Sequence, residues 1–186
     1  MIFSENRYPL FGIMREDISM LTTSRLLSLV TLCVTTGAMA FIAAVLVPAW
    51  RAMEPGAFLS AYVAFAPRAR PFLIPLGALT LVAVLAAAAL ALWRGDAGAG
   101  WTTAAAVVVA AWVAAYPLYF TAADALFTAA GTEAAAATAE LARFQAWQWV
   151  RVALLAVAIA CTIVAASRAS AESPAQVGVA RPGNHA

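Results

Sequence analysis

The sequence predicts an all-α protein, an integral membrane four-helix bundle with a short interfacial helix between spans one and two. Three observations carry that expectation. Hydrophobic residues make up 65% of the 186 residues and charged ones 11%, whereas a soluble domain needs about 25% charged residues to cover its surface. Four uncharged stretches approach or exceed the roughly 20 residues that cross a hydrocarbon core of ~30 Å. The segments between them hold Pro, Gly, Arg and acidic residues, the usual punctuation of helix ends.

Residues 1–25 are polar and mixed in charge and read as an N-terminal extension, with Met20 opening a second start-like stretch. Residues 26–50 form the first span. A signal peptide from Met20 with Ala38-Met39-Ala40 as its cleavage box is the competing reading, but the apolar run continues well past that box. Residues 51–70 are a connector. Pro55 suits a helical first turn, Phe58, Leu59, Tyr62, Val63 and Ala66 recur at helical spacing, and Pro67 should stop the helix. The second span covers residues 71–93, and the Gly/Asp turn after it makes spans two and three antiparallel neighbours. Trp93 and Trp101 flank that turn as belt residues do. The third span, 101–120, meets Pro117, which should kink or end it. Thr121 to Gly131 should be a separate short helix, with Gly131 as its stop and Thr132 capping the next one. The fourth span covers 141–167. The transmembrane domain is therefore 26–168, and 169–186 is a Ser/Pro/Gly tail expected to be disordered.

Four crossings put both termini on one side. Arg25, Arg94 and Arg168 stand at span ends there, which favours cytoplasmic termini. The Ala- and Arg-rich, Lys-free composition suits a G+C-rich coding sequence and an inner or cell membrane of a bacterium. A net charge of +2 without a basic cluster excludes nucleic acid as a partner. The expected partners are the lipid bilayer, an apolar small-molecule ligand and other membrane proteins. Cys33 and Cys161 lie in apolar runs and the one His is His185, so no metal and no other cofactor is expected. Phosphate-binding loops, hydrolase elbows and zinc-protease motifs are absent. Spans one and two lack midplane carboxylates, which argues against ion-coupled transport.

Polar and aromatic residues converge at the end of the bundle opposite the termini. Among them are Trp50, Tyr62, Arg70, Tyr116 and the candidate site residues. Arg151 stands out, because the uncharged run after it is short and completing the span draws it toward the membrane. A guanidinium facing lipid there costs at least ~2.5 kcal/mol, so pairing inside the protein is expected, with Asp124 as first partner and Glu54 as second. Snorkelling to the interface is the alternative. Arg151 and Asp124 are the candidate catalytic residues; Tyr119, Trp147, Gln148 and Glu54 are the candidate substrate-binding ones. Trp147 and Trp149 also suit interfacial anchoring, while Thr31 and Thr35 can bond back to the preceding helical turn.

Pro117-Leu118-Tyr119-Phe120, Ala123-Asp124-Ala125-Leu126 and Phe144-Gln145-Ala146-Trp147-Gln148-Trp149-Val150-Arg151 resemble the C-terminal half of the DUF1772 family. These are small four-helix membrane proteins that include the fungal anthrone oxygenases. In that family a Pro-containing third helix leads to an Asn, and the fourth helix carries Trp, His and Arg in succession. Here Pro117 and Arg151 match, Asp124 stands for the Asn, Phe144 for the Trp and Gln148 for the His. Gly37, Val47-Pro48-Ala49-Trp50 and the Pro55-Gly56-x-Phe58 connector agree more loosely. The resemblance implies a cofactor-independent oxygenase of aromatic, anthrone-like substrates. In that role Arg151 holds an oxygen, Asp124 orients Arg151, and Tyr119 and Trp147 wall the pocket. The missing His matters, since Gln148 hydrogen-bonds but does not titrate. The alternative is a non-catalytic membrane subunit or scaffold, for which the small-residue helix faces permit close contact with partners.

Overall fold

The computed structural model describes residues 8–172, with side-chain surroundings for residues 20–171. Among these the chain forms four long helices and no strand. Helix α1 runs through Tyr8–Phe41, a π turn at Ile42–Leu46 and Val47–Arg51. Helix α2 is Pro55–Trp93, and α4 is Ala134–Glu172. Helix α3 joins Ala99–Ala115, a second π turn at Tyr116–Phe120 and Thr121–Thr128. The segments Met20–Arg51, Pro55–Trp93, Ala99–Thr128 and Ala134–Ala171 are long and apolar enough to cross a membrane, the architecture of a multi-pass membrane protein. Each helix packs on its neighbour in sequence, and α4 closes the ring against α1.

The helices are longer than their uncharged cores. The first extends back to Tyr8, so much of the expected polar extension is helical, and Arg25 is buried at 7% exposure. Residues 1–7 of that extension, and 173–186 of the expected tail, lie outside the described residues. The separate interfacial helix is corrected: Pro55–Trp93 is continuous, with Pro67, Pro71 and Pro75 inside it. These prolines recur every four residues and are all exposed. At about 1.5 Å per residue they sit ~27–39 Å along the helix from Trp93. That places Pro67 and Pro71 beyond the hydrocarbon, where water can satisfy the carbonyls they leave free, and Pro75 just inside its edge.

Pro117 likewise does not end α3. Its turn widens, and the Thr121 N–H reaches back to the Tyr116 carbonyl, five residues away. Beside Pro48 the Val47 N–H bonds the Ile42 carbonyl in the same way. Thr121–Thr128 is the expected short α-helical segment, joined to the rest of α3 without a break by the π turn. Gly131 stops the chain with φ of 79°, as its sequence position implies. Thr132 does not cap α4. Its hydroxyl donates to the carbonyls of Leu126 (2.8 Å) and Ala129 (3.0 Å), closing α3 instead.

The two ends of the bundle are built differently. At the closed end, below the α2–α3 turn, the interior is small: Ala87, Ala91, Ala105 and Ala158 have no exposed surface. Polar staples knit the helices there. Ser28 Oγ donates to the Ala83 carbonyl at 3.0 Å, and Thr35 and Thr80 share a hydroxyl–hydroxyl bond of 2.7 Å. Arg25 pairs with Asp96, and Asp96 also accepts the Gly98 N–H at 2.8 Å. Gly95 turns the chain with φ of 62°. A Cβ on Gly98 would collide with the Ala165 carbonyl of α4 and meet Arg25 Nη2 at 2.8 Å. At the opposite end, the mouth, the interior is aromatic.

Candidate functional site in the mouth of the bundle

A cavity of about 400 Å³ occupies the mouth half and is lined from all four helices. Its volume falls within the ~300–1,000 Å³ of small-molecule pockets. Trp50, Tyr62, Phe120 and Phe144, each at most 5% exposed, close its upper side. Their rings meet edge to face: Trp50 to Tyr62 at 5.4 Å, and Phe120 to Phe144 at 5.2 Å. Phe127 ties the roof together, 5.1 Å from Phe58 and 5.0 Å from Tyr62. Such tilted contacts each add ~0.5–1.5 kcal/mol beyond area burial.

Both π turns supply lining. Ile42 comes from the first, and Tyr116, Pro117 and Phe120 from the second. Across from them Gly77 of α2 lets the Trp112 indole approach; a Cβ there would lie 3.1 Å from Trp112 Cη2.

Asp124 is the polar hub at the upper end. It accepts a hydrogen bond from the Tyr62 hydroxyl, another from Tyr116 Oη at 3.1 Å, and contacts Arg70 Nη2 at 3.4 Å. It makes no ion pair with Arg151, so the expected pairing is corrected. Two tyrosines and Arg70 take up the carboxylate. Arg151 is instead packed between ring faces, its guanidinium carbon 5.1 Å from the Trp112 centroid and 4.6 Å from that of Phe120. Cation–π contacts of this kind hold a desolvated guanidinium without an anion. Among the described residues its only side-chain bond is a long one, Nη1 to Gln148 Oε1 at 3.4 Å.

Among the described residues, three buried side-chain polar atoms have no hydrogen-bond partner: Arg25 Nε, Trp112 Nε1 and Arg151 Nε. The last two belong to residues of the cavity wall. Both groups only donate. A mostly apolar cavity thus has two unmatched donors in its wall, and the acceptors that line it with them, Asp124 and Gln148 Oε1, satisfy neither.

Of the sequence-derived candidates, Arg151, Asp124 and Gln148 line the cavity. Tyr119, Trp147 and Glu54 do not. Tyr119 stacks on Trp147 at 5.0 Å with 17° between the rings, and its hydroxyl donates to Glu140 at 2.5 Å. The physical reason is the π turn. Seven residues after the inward Trp112, Tyr119 would share its face in a regular helix. The extra residue rotates it away by ~100° and brings Phe120 inward. Glu54 is exposed and precedes α2; its backbone carbonyl accepts the Phe58 N–H at 2.9 Å while its side chain caps nothing. Trp112 went unrecognised because an indole inside a Val/Ala run reads as ordinary apolar filling. The sequence puts Tyr62 and Arg70 at the mouth but gives neither a role.

No family model, curated protein or solved structure matches the chain. What is established is the multi-pass architecture and the composition of this cavity.

Proposed function

We propose that this protein binds an apolar, ring-bearing molecule through one of its oxygen atoms inside the mouth cavity. The observation that carries the reading is the pair of buried donors, Trp112 Nε1 and Arg151 Nε, both without partners and both on residues of a mostly apolar cavity wall. An unpaired buried donor costs about 1–3 kcal/mol, so two at one cavity favour a ligand that brings an acceptor. The aromatic roof supplies flat surfaces for ring stacking.

The activity best supported by the residues is that of a cofactor-independent oxygenase of anthrone-like substrates, as the resemblance to DUF1772 implies. One dioxygen would be consumed per anthrone, its methylene becoming a carbonyl and one water being released. Arg151 and Trp112 hold the existing carbonyl oxygen and stabilise the negative charge that develops on it when the methylene proton passes to Asp124, the carboxylate of the lining, from which it returns in the released water. Asp124 organises Tyr62, Tyr116 and Arg70 rather than Arg151. The location that goes with this reading is a bacterial cell membrane with both termini in the cytoplasm.

The test is anthraquinone binding, together with anthrone-dependent oxygen uptake, by the full chain in lipid nanodiscs. Trp112→Phe keeps an aromatic ring at this position while removing the indole donor and part of its bulk, and is expected to weaken anthraquinone about tenfold. Unchanged affinity in that variant would remove the proposed site. Binding without oxygen uptake above that of empty nanodiscs would leave a binding protein and discard the oxygenase.

A further inference from the structure

The cavity wall is asymmetric. Its contributions from α1 and α4 include the buried Met39, Trp50, Phe144 and Gln148, whereas α2 and α3 contribute the exposed Ile74, Ala78, Tyr116 and Pro117. The opening is therefore a lateral slot between α2 and α3, while the aromatic roof closes the aqueous side. Ile74 and Gly77 lie ~24–29 Å along α2 from Trp93, inside a hydrocarbon ~30 Å thick. The slot faces acyl chains.

The charges of the lining are also uneven. Among the described residues, Arg70 and Arg151 stand against one carboxylate, Asp124, and no other charged residue lines the cavity. Asp124 is already engaged by Arg70 and two tyrosines, which leaves Arg151 without an anion. A cation that has given up water without gaining a counter-ion favours an anionic partner.

Building on the ligand site proposed above, we infer that its occupant is a monoanionic amphiphile that enters sideways from the bilayer leaflet on the mouth side. Its oxyanion meets Arg151 and Trp112 while its apolar body fills the cleft. Carboxylates and ionised phenols share this chemistry, on an aromatic ring system or on an acyl chain.

The experiment uses the full chain in phosphatidylcholine nanodiscs, which carry no net lipid charge. Affinities of 9-anthracenecarboxylate and 9-anthracenemethanol are read by energy transfer from tryptophan, corrected with empty nanodiscs. Oleate and oleyl alcohol, competing against the anthracene probe, form the acyl arm and distinguish a lipid-derived ligand from an aromatic one. The carboxylate is expected to bind at least tenfold more tightly than its alcohol in one arm, and Arg151→Leu should reduce that preference below twofold. Equal affinity of acid and alcohol in both arms overturns the anionic occupant yet leaves the apolar site standing. No saturable binding of any probe overturns the site itself. Should Arg151→Leu fail to insert, Arg151→Gln and the preference of the unaltered protein decide the matter. Ile74→Phe narrows the slot and is expected to slow association at least threefold; an unchanged association rate overturns the sideways route.

Discussion

The closed end and the mouth of this bundle solve opposite problems with the same four helices. At the closed end, alanines bring the backbones close and a few hydroxyls and one ion pair fix their register. Small side chains permit such contact where lipid gives helices no hydrophobic reason to associate. At the mouth, large rings hold the helices apart and leave a cavity of about 400 Å³. The difference teaches where each class of substitution should hurt. Changes at the closed end act on assembly, and changes at the mouth act on what the cavity holds.

Two glycines sharpen that contrast. Gly98→Leu should have the largest effect, because the new side chain collides with the Ala165 backbone and no rotamer relieves a clash at Cβ. Loss of a monodisperse species on size exclusion in mild detergent is expected. Gly77→Ala, facing a ring edge at 3.1 Å, should cost less than about 1.5 kcal/mol in detergent-titrated unfolding while weakening cavity ligands severalfold. Equal damage from both substitutions would break the comparison. Arg25→Leu ranks between them. It leaves Asp96, itself little exposed, with the Gly98 N–H but without the Arg25 cation, and about 3 kcal/mol of unfolding free energy should be lost. The smallest effect is expected for Thr35→Val, which removes the hydroxyl bond to Thr80; interhelical bonds of this kind average ~0.6 kcal/mol.

The crossings were legible in the sequence because uncharged length is a direct physical requirement of the hydrocarbon. Gly131 was legible as a stop for a similar reason, its φ of 79° being one that few other residues adopt. Pro67 and Pro117 misled, since a proline's local cost does not reveal whether water or a π turn will absorb it. That one uncertainty moved Tyr119 out of the site and Phe120 into it. The choice among partners for Asp124 was not legible either: Arg70, Tyr62, Tyr116 and Arg151 all lie within reach of the mouth, and only the packed rotations of four helices decide between them. Trp112 had no signal of its own, because its significance lies in an indole N–H left without an acceptor, which is a property of the fold.

Ring closure by α4 has a consequence for biosynthesis. Ribosomes make the chain from its N-terminus, so the carboxylate of Asp96 emerges after Arg25 is already available to receive it. The helix bearing Arg151 is made after the other three, and its Ala165 must settle onto Gly98. A nascent chain stopped after α3 would hold Trp112 and Asp124 but no wall opposite them. The ligand site thus comes into being only once α4 has been made and has packed against the other three helices, so bound ligand reports that all four are in place.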